Sequence, residues 1–147
     1  MTHPTEPATY ERSTVSYETA RRLLEAAVGT AGEAGVPAAI VVSDVAGEPV
    51  AIARTDGAGL LPMKVAADKA WTAANAGAPT EQLHAFVASD PAALVYMPTV
   101  PRFTTVAGGL PITGSGGQVV GAIGVSGGTG AQDAIVARAA LDAIGEL

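Results

Sequence analysis

The chain has 147 residues, enough for one domain that buries roughly 70% of its unfolded surface. Apolar residues make up 48% of it, aromatics 4% and charged residues 15%; so few charges leave much surface apolar, and a homo-oligomer is expected. A net charge of −6 with no basic run, and the absence of cysteine, exclude a phosphate-tracking nucleic-acid surface, disulfides, thiolate metal sites and a cysteine nucleophile.

Residues 1–13 are polar, contain Pro4 and Pro7, and read as a flexible arm ahead of a single domain over residues 14–147. Ser16 is placed to cap a helix in which Ala20, Leu23, Leu24, Ala27, Val28 and Ala31 recur at helical spacing. Gly35-Val36-Pro37 stops it. Ala38–Val45 and Pro49–Arg54 read as the two arms of a hairpin across Ala46-Gly47-Glu48. After the loop Thr55–Gly59, Leu60–Asn75 reads as a helix ended by Gly77 and Pro79. Thr80–Val87 reads as a short helix with Leu83, Phe86 and Val87 inward.

Asp90–Thr105, with Pro91, Pro98 and Pro101, predicts an irregular excursion with one short helix near Ala92–Tyr96. An excursion of that length in a compact domain is usually functional or disordered. Val106–Thr113 and Gln118–Ser126 form a second hairpin, and Ala131–Ile144 a final helix with Ile135, Val136, Ala139, Ala140, Ala143 and Ile144 periodic. Short turns join the paired strands, so the sheet should be mostly antiparallel. Strands this apolar call for helices on both faces, giving an α+β fold of three α/β/α layers.

Gly124-Val125-Ser126-Gly127-Gly128 matches G-x-S-x-G, the pattern of a nucleophile elbow. That fold needs a histidine after the serine, and the two histidines, His3 and His84, both precede it. The glycines are better read as a strand-to-helix corner. A phosphate cradle fares no better: no lysine follows Gly108, and the dinucleotide fingerprint would put glycine where Asp133 stands. Asp133 near a helix start complements the dipole. No histidine or carboxylate spacing predicts a metal site. No apolar run is long enough to span a membrane, so no membrane partner is expected. The expected compartment is the cytoplasm, with a removed leader left open.

Five segments in order carry a resemblance: VSDVAGEPVAIARTDGA (Val42–Ala58), AADKAWTAANAG (Ala66–Gly77), GGLPI (Gly108–Ile112), VVGAIGVSGG (Val119–Gly128) and AQD (Ala131–Asp133). Over roughly residues 14–145 the chain resembles the GlcG/HbpS family, also called the haem-degrading domain family and found at the C-terminus of PduO-type proteins. The resemblance implies a profilin-like domain with a five-stranded antiparallel sheet, and oligomers from dimer to octamer. Haem is the family's best-known ligand. It needs an apolar slot, cations for its propionates and usually an axial donor. Arg54, Lys69 and Arg102 are the candidate cations, and His84 the candidate axial ligand, with Tyr96 second.

Charges are so sparse that Arg54, Asp56, Lys69 and Arg102 stand out as a constellation able to bind a carboxylate or enolate. The expected ligand therefore carries a carboxylate, held by Arg54, Arg102, Phe103, His84 and the turn residues Gly108, Gly109 and Pro111. Were the protein a cofactor-free isomerase, hydratase or hydrolase, Lys69 or Asp56 would move the proton. The structural alternative is an ion pair of Arg54 or Lys69 with Asp56. A third possibility is a purely structural or partner-binding subunit with flat apolar faces.

Overall fold

The structure is a computed structural model and describes residues 5–147. Most of the expected arm lies before the first helix, exposed and without regular structure; residues 1–4, with His3, are outside the described residues. Helix α1 (Tyr17–Glu33) starts where the Ser16 hydroxyl accepts from the Thr19 amide. In its first turn Arg21 donates to Glu18, and this bond holds the Glu18 carboxyl below its ordinary range. Gly35, at φ 67°, lets the chain turn out while Val36 N–H reaches back to the Ala31 carbonyl, the closing bond of a Schellman motif.

Strands β1 (Ala39–Ser43) and β2 (Pro49–Arg54) pair antiparallel. Asp44 Oδ1 shapes their turn by accepting from the Ala46 and Glu48 amides. Helix α2 (Leu60–Ala76) crosses next, then α3 (Thr80–Ala88) and the short α4 (Pro91–Tyr96), capped by Asp90 and followed by a 3-10 turn at Met97–Thr99. β3 (Gly109–Thr113) and β4 (Val119–Ser126) form the second hairpin. Helix α5 (Gly130–Ile144) closes the fold behind a capping box in which Thr129 and Gln132 satisfy each other's backbone.

The strands order as β2-β1-β4-β3, every pair antiparallel. The sheet thus has four strands among the described residues, not the five implied by the resemblance. The chain before α1 makes one backbone bond to the sheet, Val15 N–H to Val120 O, and the segment after α4 is held irregular around Pro98 and Pro101. β3 starts at Gly109 rather than at Val106, because Val106 to Gly108 are bent around the Thr80 hydroxyl.

The three expected layers are present. α1 and α5 cover one face, where Leu23 and Ala27 pack with Ile40, Val42, Ile123, Val125, Val136 and Ala140. Burying a side chain such as Leu23 contributes about 1.5–3 kcal/mol. α2 covers the other face through Ala66 and Ala70 against Ala39 and Val41. This contact uses almost no side chain. A Cβ on Gly124 would collide with the Ala66 carbonyl, and one on Gly109 would meet the Lys69 carbonyl. Phe86, expected inward, is about two-thirds exposed, and of the periodic α5 residues Ile135 and Ala143 face out. No helix among the described residues is long and apolar enough to cross a membrane.

Candidate functional site

A cleft of about 280 Å³ opens between α3, α4 and the chain that follows them. Its lining is mainly apolar: Val87, Leu94, Met97, Pro98 and Phe103, with Thr104, Thr105 and His84 as the polar members. The local sequence explains the shape. Asp90 caps α4 through the Ala92 amide, Pro91 stands at the first helical position, and Pro98 and Pro101 prevent the helix from continuing. The chain therefore turns back beneath α3 and leaves a trough. Val87 is buried at its floor, and His84, one turn earlier on α3, is exposed beside it.

Of the residues singled out in the sequence, this cleft brings together His84 and Phe103. It does not gather the four charges. Lys69 is 1% exposed, with its ammonium donating to Asp133 Oδ2 and to the Val125 carbonyl, each at 2.8 Å. The other Asp133 oxygen accepts from the Gly128 amide at 2.9 Å. The structural ion pair of Lys69 is therefore made with Asp133 and not with Asp56. Asp133 still stands in the first turn of α5, where a negative charge meets the helix dipole.

Arg102 turns away from the cleft that its neighbour Phe103 lines. Its Nη1 lies 2.7 Å from Glu48 Oε1, and its guanidinium stacks 5.4 Å from the Trp71 ring centroid. Arg54 and Asp56 are exposed and form no ion pair among the described residues. Asp56 borders a separate groove against the end of α1. Gly108 and Gly109 are buried architecture. A Cβ on Gly108 would lie 2.9 Å from Lys69 Nζ, and Gly109 N–H donates to Thr80 Oγ1 at 3.0 Å. Pro111 borders a small groove beside Arg138 and Leu141. Tyr96 is 65% exposed and outside the cleft lining. Ser126 ends β4 opposite Ala39, with no histidine bonded to it among the described residues.

Sequence reasoning passed over Val87 as a cleft residue, together with Leu94, Met97, Thr104 and Thr105. The available signal was the proline-punctuated excursion itself. It also passed over Asp133 as the partner of Lys69, a pairing across 64 residues that no local spacing announces.

Three layers, with an apolar trough beside α3 and α4, define a small α+β domain. Among the described residues, no group of three or more His, Asp or Glu is arranged to hold a metal ion. The chain belongs to the HbpS-like family: the family described as haem degrading protein HbpS-like matches residues 15–142. It is 33% identical over 138 residues to a 15.0 kDa protein from the dhaT-dhaS intergenic region of Citrobacter freundii, covering 92% of this chain and 95% of that one. A double mutant of Streptomyces reticuli HbpS superposes with a TM-score of 0.86 at 29% identity, over 99% of this chain and 97% of the other. A PduOC–haem complex superposes with a TM-score of 0.79 at 29% identity, over 88% and 94%.

Proposed function

We propose that this domain binds a flat, largely apolar small molecule bearing a carboxylate, of which haem is the named candidate, against the trough between α3 and α4. The observation that carries this is the position of His84, an exposed imidazole at the rim of an otherwise apolar cleft. Imidazole is a common axial ligand of haem iron. Family membership and the likeness to a haem complex support the same ligand class.

The residues present fit one face of the group and its donor. Val87, Leu94, Met97 and Phe103 offer the apolar wall, and His84 the nitrogen. The cleft, at about 280 Å³, is just below the range of ligand pockets, which run from roughly 300 to 1,000 Å³. Haem would lie along it rather than sink into it. The lining holds no lysine or arginine, so the propionates would face solvent or a second copy of the chain. When bound, haem supplies its iron chemistry; the chain supplies a dry face, a nitrogen and an orientation.

The same unit exposes Phe86, Val95 and Tyr96, each at 65% or more. That supports an assembly in which a neighbouring subunit covers the ligand's other face. The acid–base alternative has less behind it, since Lys69 is buried on Asp133 and Asp56 borders a separate groove.

Titration with haemin, followed in the Soret region, tests the proposal. The wild type should shift at micromolar haemin, and His84→Ala should bind about tenfold more weakly, a 1.4 kcal/mol change, with an altered ligation spectrum. No Soret shift in the wild type removes haem. An identical spectrum in His84→Ala removes His84 as the donor.

A further inference from the structure

Arg102 is the one non-glycine residue with positive φ among the described residues, at 71°. A side chain in the left-handed region is strained, and glycine or asparagine would take the turn with less cost. Such a residue persists where its surroundings over-determine it. Those surroundings are all present. The Arg102 carbonyl accepts from Thr72 Oγ1 at 3.0 Å, and the Thr104 amide donates to the same hydroxyl at 3.1 Å. Nη1 reaches Glu48 at 2.7 Å, and Nη2 reaches the Gly47 carbonyl at 3.3 Å.

The far end of this clamp is rigid. Gly47 is pressed onto α2 so closely that a Cβ there would lie 2.9 Å from Trp71 Cδ1. Asn75 Nδ2 holds the adjoining Ala46 carbonyl at 2.9 Å. The β1–β2 turn, the outer side of α2 and the chain after α4 thus meet at one guanidinium. The left-handed backbone sends the Arg102 side chain to that meeting point, while Phe103, Thr104 and Thr105 line the cleft.

Resting on the function proposed above, we propose that Arg102 is a positioning residue for the cleft: it does not touch the ligand, and it holds the Phe103–Thr105 wall in its receptive shape. An arginine that merely decorated the surface with an ion pair would need neither a strained backbone nor a ring beneath it. The sequence spends a costly residue type at this φ because the side chain is what fixes the wall.

Two variants separate strain from anchoring. Arg102→Gly removes the guanidinium and keeps the φ without strain; Arg102→Ala removes the guanidinium and keeps the strain. Three measurements are made on each: hydrogen exchange at the Phe103 and Thr104 amides, emission of Trp71, the only tryptophan, and haemin affinity. Exchange at these amides should rise by about tenfold in Arg102→Ala, the shift expected on releasing one left-handed residue, and by less in Arg102→Gly. Trp71 emission should shift in both, and haemin affinity should fall in the order wild type, Gly, Ala. Exchange in β1 and β4 should not change, which a general loss of structure would not allow.

Equal protection of Phe103 and Thr104 in Arg102→Ala and wild type overturns the positioning role. So does an unchanged haemin affinity where the wild type binds haemin. If the wild type takes up no haemin, the haem proposal fails, and the role of Arg102 is decided by exchange and Trp71 emission without ligand.

Discussion

The corner where Lys69 meets Asp133 and the rim where His84 stands use opposite physics. At the corner two charges are 1% and 3% exposed at the side chain, and the ammonium and both carboxylate oxygens are hydrogen-bonded. At the rim an imidazole is exposed beside side chains that leave apolar surface uncovered. In a chain with so few charges, the lysine that looks most like a catalyst is the one most thoroughly committed to structure. The apolar trough, which carries no charge constellation, is the place proposed for a ligand.

This contrast breaks first at the corner. Lys69→Met leaves Asp133 buried without its cation and should cost about 3–5 kcal/mol, read by urea unfolding. The double variant Lys69→Met/Asp133→Leu should recover most of that loss. Near-wild-type stability in the single variant, with ligand uptake lost, would move Lys69 from architecture to function. Gly124→Ala comes next. Its methyl group meets the Ala66 carbonyl and the Ala70 amide nitrogen, backbone atoms that cannot rotate away. A loss of about 1–3 kcal/mol is expected, seen as a lower melting temperature.

Ser16→Ala and Thr129→Ala remove the hydroxyls that accept from Thr19 and Gln132, and each should cost about 1 kcal/mol. Smallest in stability is His84→Ala, which should stay within about 0.5 kcal/mol while altering the haemin spectrum. A rim substitution that destabilised as much as Gly124→Ala would erase the distinction between the two regions.

Local features of the chain were legible where a single residue governs them. The Ser16 cap, the Gly35 stop and the α1 stripe of Ala20, Leu23, Ala27 and Ala31 all stand as the periodicity placed them. The two hairpins were legible for the same reason, since their turns need glycine at Gly47 and Gly117. The Thr129-x-x-Gln132 capping box was present in the sequence and was passed over among the surrounding glycines.

What depends on tertiary pairing was less visible. Phe86 and Val87 are adjacent apolar residues on α3, and only tertiary packing decides that Val87 is buried and Phe86 is not. Arg102 looked like a ligand cation because its partners, Glu48 and Trp71, lie 54 and 31 residues away in sequence. The candidate site was legible as an anomaly, a proline-rich excursion, and in two of its residues, His84 and Phe103. Its walls were not, because prolines say where a helix starts or stops and not where the chain goes next.

Thr80 carries a consequence of its own. One buried hydroxyl donates to the Val106 carbonyl at 2.7 Å and accepts from the Gly109 amide at 3.0 Å. The first residue of α3 is thereby pinned to the first residue of β3. This one oxygen ties the start of α3 to the end of the sheet by hydrogen bonds, beside the packing that α3 makes with α2 and β3. Thr80→Val would keep the volume and leave the Val106 carbonyl and the Gly109 amide without this partner, a loss of about 1–3 kcal/mol.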